Sequence, residues 1–343
     1  MRILVSALEP SANLHLNYLL KKLEGVEITG IFDRAFGEPL YGMETFSVMG
    51  IVDAAGKYFV AREAMARMVE EADGCEKVLL IDAPAFNLPL AKKLKRRYPN
   101  KEIIYYILPK VWAWKKRRAK EVARRCDILA AVFPFETRFY PTAEYVGNPL
   151  LDELHVRRLP QAGTTAFLPG SRRSEITRLM PVFRETARRL PGKKVLAIPA
   201  FMDDARIAEW YGDIGAFEVV RDTQEAVAKA EFAFVCSGTA TLETALIGTP
   251  FVMVYIARSW EYALAKRLVK IPYKGLANII LDFEGEGPMH EELFQEEVNC
   301  ERLLDLYETL DREAFGQKSR RLWEILGHGS AERVAQLVRN GYN

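Results

Sequence analysis

The chain has 343 residues, 49% of them hydrophobic and 27% charged, with a formal charge of +2. That length is too great for one ordinary domain and suits two of about 100–200 residues. The composition excludes disordered, collagen-like and coiled-coil classes, and the near-zero charge argues against a dedicated nucleic-acid binder.

In chain order, short β-branched runs alternate with amphipathic stretches, the pattern of βαβ repetition and a parallel sheet. The first half predicts a strand over Arg2–Ala7, a helix over Leu14–Leu23 and a strand over Val26–Ile31. A helix over Ala61–Glu71 precedes strands over Val78–Ile81 and Ile103–Ile107. A Trp-containing loop, a basic helix over Lys115–Arg125 and a strand over Ile128–Val132 follow. Gly147-Asn148-Pro149 breaks the pattern, and the polar stretch from His155 to Gly163 reads as a linker.

The second half restarts with a strand over Thr164–Leu168, a helix over Glu175–Leu190 and a strand over Lys194–Ile198. Next come a helix over Asp203–Trp210 and strands over Phe217–Val220 and Phe232–Cys236. A helix over Ala240–Ile247 and a strand over Phe251–Tyr255 complete the unit. The tail is helical and broken at Gly327-His328-Gly329, with Ser330 as the expected N-cap of a last helix over Ala331–Arg339. The expected architecture is α/β, two Rossmann-like domains facing a central cleft. The domains span 1–150 and 151–320, with a helical tail, 321–343, packing back on the first. Open α/β sheets take ligands beyond the carboxyl ends of their strands.

Cys75, Cys126, Cys236 and Cys300 are widely spaced and offer no disulfide framework, which fits a reducing cytoplasm. The opening apolar run, of about six residues, is too short for a signal-peptide core. No stretch approaches the roughly 18–20 apolar residues of a membrane span, so any membrane contact is expected to be peripheral. His15, His155, His290 and His328 stand far apart and form no H-x-x-x-H. Walker, G-x-G-x-x-G, G-x-S-x-G and D-x-D patterns are absent, and neither a metal nor a cofactor is expected.

Two strand-to-helix turns carry anion chemistry. Ser237-Gly238-Thr239 combines a tight turn, two hydroxyls and a helix start whose N–H groups and dipole attract phosphate. Glu243, one turn further on the same face, can accept bonds from sugar hydroxyls. The bland alternative is an ordinary capped helix. Pro169-Gly170-Ser171-Arg172-Arg173 is a second such turn, with arginine forks suited to phosphate.

In the first half, Asp82 ends an apolar strand at the ligand edge, where partial burial would raise its pKa and suit a general base. The alternative is an aspartate capping the next helix. Trp112 and Trp114 suit a sugar face or a membrane interface, although one of them is expected in the core. From Lys92 to Arg125 fourteen Lys/Arg stand against Glu102 and Glu121, a net +12 that leaves −10 for the rest of the chain. Such a segment, with Lys115, Lys116, Arg117 and Arg118 at its centre, attracts phosphates or anionic headgroups. Just upstream, Phe59, Val60, Met65 and Met68 lie on an amphipathic stretch that either contacts acyl chains or packs in the core.

These residues resemble the lipid-A-disaccharide synthase family. The matching stretches are VMGIVDAAG (Val48–Gly56), IDAPAFN (Ile81–Asn87), PKVWAW (Pro109–Trp114) and FPFE (Phe133–Glu136). FLPGSRRSEI (Phe167–Ile176), SGTATLE (Ser237–Glu243), LAKRLVK (Leu264–Lys270) and GLANII (Gly275–Ile280) follow in the family's order. The resemblance implies a GT-B glycosyltransferase that moves 2,3-diacylglucosamine from UDP to lipid X (2,3-diacylglucosamine 1-phosphate). The products would be the β-1′,6-linked disaccharide 1-phosphate and UDP, at the cytoplasmic face of the Gram-negative inner membrane.

By the same resemblance Asp82 is the catalytic aspartate. Arg172, Ser237, Gly238, Thr239, Glu243 and Asn278 bind UDP, and Glu9 and Ser11 belong to the acceptor loop. The implied partners are UDP-2,3-diacylglucosamine, lipid X and the anionic membrane surface; a homodimer is left open. That loop departs from the family's G-E-T-S-G-D, reading Leu8-Glu9-Pro10-Ser11-Ala12-Asn13, and Ala85 stands where the family has a second acid. Within the fold, a UDP-GlcNAc 2-epimerase or another UDP-GlcNAc transferase is the second reading. An inactive nucleotide-sugar-binding membrane protein is the third.

Overall fold

The computed structural model describes residues 1–47, 54–113, 117–258, 262, 267 and 271–340. Val48–Asp53 of the first matching stretch, Trp114, Lys115, Lys116 and all of Leu264–Lys270 except Arg267 lie outside the described residues. The chain divides into two compact units, residues 1–153 with 326–343, and residues 154–325.

The first unit is built on seven strands. They are β1 (Arg2–Ser6), β2 (Glu27–Phe32), β3 (Tyr41–Gly42), β4 (Lys77–Ile81), β5 (Glu102–Tyr106), β6 (Ile128–Ala131) and β7 (Glu144–Tyr145). Every pair is parallel, in the order β3-β2-β1-β4-β5-β6-β7. The strands read as continuous apolar runs because helices cover both faces of a parallel sheet. Those helices are α1 (Pro10–Leu20), α2 (Glu44–Ser47), α3 (Ala54–Glu71), α4 (Pro84–Arg97), α5 (Arg118–Arg125) and α6 (Pro149–Glu153), with the C-terminal helix Ser330–Asn340.

The second unit repeats the plan with β8 (Thr164–Leu168), β9 (Lys193–Ala197), β10 (Glu218–Val220), β11 (Phe232–Cys236), β12 (Phe251–Tyr255) and β13 (Glu292–Phe294). Its order is β10-β9-β8-β11-β12-β13, again all parallel. Helices α7 (Arg173–Arg189), α8 (Asp204–Tyr211), α9 (Thr223–Lys229) and α10 (Thr239–Ile247) cover it, with Leu276–Phe283, Cys300–Thr309 and Arg312–Ile325. Phe167, Phe183, Phe232 and Phe234, all fully buried, fill its core.

In each sheet the chain runs outward from its first strand, then returns to pair on that strand's other side. The order reverses between β1 and β4, and between β8 and β11. Open α/β sheets bind ligands at such switch points, beyond the carboxyl strand ends. The loops carrying Glu9, Asp82, Arg172 and Ser237–Thr239 all leave from those four strands.

Two expectations are corrected here. Met68 does not reach the surface. Ala64, Met68 and Ala72, spaced by four on the inner stripe of α3 and its end, are 0% exposed and join the first unit's core. Met65 is partly buried against the same core, whereas Phe59 is 66% exposed. Ser330 is not the cap of the last helix. Its hydroxyl pairs with Tyr106 Oη at 2.8 Å, and the Asp152 carboxylate accepts the N–H groups of Gly329 at 2.7 Å and Ala331 at 2.9 Å.

Candidate active site

β4 delivers Asp82 to the switch point of the first sheet. The chain leaves the strand through two consecutive left-handed residues, Asp82 at φ 48° and Ala83 at φ 43°. Non-glycine residues held there cost of order 1–3 kcal/mol each and persist only where surrounding bonds over-determine them. The Asp82 N–H donates to Tyr106 O at 3.0 Å. Its carbonyl accepts from Asn87 Nδ2 at 2.8 Å and Tyr105 Oη at 2.7 Å. Ser6 Oγ in turn donates to Asn87 Oδ1 at 2.6 Å. Side chains from β1, α4 and β5 therefore fix the turn. Ala83 is the N-cap residue of α4 and no side chain caps that start, so the helix-capping reading of Asp82 is set aside.

Asp82 lines a cavity of about 250 Å³ with Pro84, Pro109, Lys110, Val111 and Arg118. Burial raises its carboxyl pKa, while Lys110, the Ala83 N–H and His15 pull against that rise. The loop holding Lys110 is braced from beneath. Tyr140 Oη donates to Pro109 O at 2.7 Å, and Trp112 Nε1 donates to Glu136 Oε1 at 3.3 Å. Trp112 is buried edge-on against Phe135, which settles it as a core residue. Glu136 is fully buried, accepts the Val132 and Phe133 N–H groups at 3.1 and 3.2 Å, and is pushed up to about 7 by burial.

Across the switch point, α1 begins at Pro10, a residue suited to the first helical position because it lacks an N–H. Glu9 is exposed and Ser11 half-buried. Asn13 explains part of the altered loop. Its Nδ2 donates to Ala7 O at 2.8 Å and Glu9 O at 2.9 Å, bonds that an aspartate carboxylate cannot make.

In the second unit the loop after β8 turns at Gly170, φ 98°, where a Cβ would lie 2.5 Å from Glu175 Oε2. Glu175 is buried and turned back under the loop. It accepts the Ser171 and Arg172 N–H groups at 3.4 and 3.3 Å and the Arg172 Nη1–H at 3.0 Å. The turn just before α7 is thus occupied by the protein's own carboxylate. What it presents outward is the Arg172 side chain, 76% exposed. The start of α10 differs: Gly238 is the N-cap residue and no side chain caps it. Gly238 and Thr239 are exposed and Ser237 half-buried, so this start faces outward. Glu243 is held by Gln224, whose Nε2 donates to Glu243 Oε1 at 2.9 Å.

Asn278 is placed differently from the expectation. It is fully buried and its amide is committed: Nδ2 donates to His290 O and Glu292 Oε1, and Oδ1 accepts the Met289 N–H. In this arrangement its side-chain amide braces helix Leu276–Phe283 against the segment entering β13 rather than facing a nucleotide.

Sequence reasoning missed Lys110 as a partner of Asp82 and read Arg118 as membrane-facing. It gave no role to Ser6, Asn87, Tyr105 or Gln224. Asn87 carried one signal, its place in IDAPAFN, and the others carried none. Among the described residues no group of three or more His, Cys, Asp or Glu could hold a metal ion.

Residues 3–332 match the profile of the lipid-A-disaccharide synthetase family. A lipid-A-disaccharide synthase of Helicobacter pylori (strain ATCC 700392 / 26695) is 45% identical over 349 residues, covering 97% of this chain and 96% of that protein. One of Campylobacter jejuni (strain RM1221) is 42% identical over 359 residues, covering 98% of both. The fold is shared with the calicheamicin glycosyltransferase CalG4, at 17% identity and TM-score 0.62, covering 98% of this chain and 97% of that one. It is shared also with a Neisseria meningitidis UDP-GlcNAc 2-epimerase, at 11% identity and TM-score 0.61, covering 99% and 100%. With a strained aspartate at one switch point, an arginine and an uncapped helix start at the other, and whole-length identity of this order, the chain belongs to the lipid-A-disaccharide synthetase family.

Proposed function

We propose that the protein joins two acylated glucosamine units by inverting transfer, from UDP-2,3-diacylglucosamine to lipid X. Asp82 takes the proton of the acceptor 6-hydroxyl as it attacks the anomeric carbon. Arg172 and the start of α10 face the charge that develops on the departing UDP, and Glu243, oriented by Gln224, receives ribose hydroxyls. The observation that carries this reading is Asp82, a half-buried carboxylate at the switch point on a turn that four hydrogen bonds hold in a costly conformation. Purified protein with UDP-2,3-diacylglucosamine is expected to release UDP only after lipid X is added, and to leave UDP-GlcNAc unchanged. UDP release without lipid X, or epimerisation of UDP-GlcNAc, would favour the other readings.

We also propose that α3, α4 and α5 form the membrane-docking face. Neighbouring helices α4 and α5 expose Lys92, Lys93, Arg96, Arg97, Lys120 and Arg124, and α3 beside them exposes Phe59. Among the described residues no helix is long and apolar enough to cross a membrane. Binding to anionic vesicles is expected to weaken with rising salt and with Phe59→Ser, which leaves stability within about 0.5 kcal/mol of the parent. Met68→Ala is expected to do the reverse, costing about 2–5 kcal/mol in urea unfolding through the cavity it leaves. Vesicle binding insensitive to both salt and Phe59→Ser would remove this face from the reading.

A further inference from the structure

We propose that Lys110 and Arg118 form the subsite for the acceptor's phosphate, so that the cavity at Asp82 selects a phosphorylated sugar and aims its far hydroxyl at the base. The inference rests on the transfer reading above and deepens it.

The lining of the cavity is its first support. Among the described residues that line it, two of the charged ones are cations and one is an acid, Asp82 itself. Lys110 is exposed on the loop that Tyr140 and Glu136 brace, and Arg118 is the first residue of α5. The planar arginine fork and the compact ammonium are complementary ways of holding phosphate oxygens. Two helices also begin at this cavity. Pro84 opens α4 and Arg118 opens α5, so both positive dipole ends add to the field. A general base needs none of this, and Lys110 weakens it by stabilising its ionised form. The excess positive charge therefore calls for a second anion.

Size is the second support. About 250 Å³ lies below the roughly 300–1,000 Å³ of pockets that enclose drug-sized ligands. It accommodates one sugar ring with a phosphate, while two acyl chains must leave it. In a hexosamine 1-phosphate the rigid ring fixes the span between the phosphate and the 6-hydroxyl. Anchoring one end places the other, which is where orientation contributes to rate. An anchored phosphate also neutralises Lys110, removing its pull on the Asp82 carboxyl, so the base strengthens when the correct acceptor is in place.

The test compares kcat/KM for lipid X with that for the same acceptor lacking its phosphate. Lys110→Gln and Arg118→Gln are each expected to lower the preference for the phosphorylated acceptor on the order of 10–100-fold, the loss of one charge-assisted hydrogen bond. Lys110→Arg should restore most of it, and UDP affinity should stay at the parent value in all three variants. A merely structural loss would lower both acceptors equally. That equal loss overturns the subsite while leaving the transfer reading intact, and so does a fall in UDP affinity, which would give the cations to the donor. A parent enzyme that releases no UDP with either acceptor overturns the transfer reading and the subsite with it.

Discussion

Asp82→Asn is expected to abolish glycosyl transfer and leave UDP binding unchanged. Asparagine is the informative replacement. Asp82 sits at φ 48°, a conformation that asparagine tolerates better than alanine does, so the turn survives. The bonds that fix this turn run through the backbone of residue 82 and through Asn87, Tyr105 and Tyr106, none of which changes. What is lost is the ability to take a proton, and removal of a positioned base typically costs about 10²–10⁴-fold in rate. Circular dichroism and urea unfolding should match the parent. Retention of more than about a tenth of the parent kcat would remove Asp82 from the mechanism.

The pH dependence follows from the same site. On the proposed mechanism the base acts only when ionised, so kcat/KM is expected to fall as pH drops through its pKa. Burial moves that acid limb up from the ordinary aspartate value, although Lys110, the Ala83 N–H and His15 oppose the rise. Lys110→Gln removes the largest of those opposing influences and should move the limb to higher pH. A limb that stays put would show that the titrating group is not Asp82.

The elements with strong periodicity were legible in the sequence, and the devices that hold the site were not. Strands Thr164–Leu168, Phe232–Cys236 and Phe251–Tyr255 match their expected ends, because buried parallel strands are uninterrupted apolar runs flanked by turn residues. Helix α4 had no counterpart, since Pro84 and Pro89 within Pro84–Arg97 suppress the helical signal that tertiary packing then overrides. α1 starts four residues earlier than expected for the same reason: Pro10 reads as loop in isolation but fits a first helical turn. The site's loops could be located because strand ends are where such folds bind ligands. Their hydrogen bonds join residues 81, 23 and 24 positions apart, such as Ser6 with Asn87, Tyr105 with Asp82, and Trp112 with Glu136. Side-chain pairings at that separation leave no mark in a local pattern. The acid under the α7 loop is an exception that could have been read, because Glu175 stands three residues after Arg172.

That acid decides the prediction for the donor half. A strand, a glycine turn and a helix start suggest that backbone N–H groups of the α7 loop cradle a phosphate, but Glu175 already accepts those of Ser171 and Arg172. A diphosphate placed against those two groups would meet a buried carboxylate instead of free donors. On the transfer proposed above, the α7 loop would then act through the Arg172 side chain, which Glu175 Oε1 holds at 3.0 Å, while the start of α10, which no side chain caps, would supply backbone donors. Arg172→Ala is accordingly expected to lower kcat by about 10²–10³-fold, the cost of removing one donor aimed at developing oxyanion charge. Arg172→Lys should recover little of it, since a single ammonium cannot reproduce a bidentate fork. The loss should appear in kcat as well as in UDP affinity, because the charge on the leaving diphosphate grows toward the transition state. A change confined to KM would mean that Arg172 only binds the ground state. The helix start of α10 would then be left as the principal stabiliser of the leaving group.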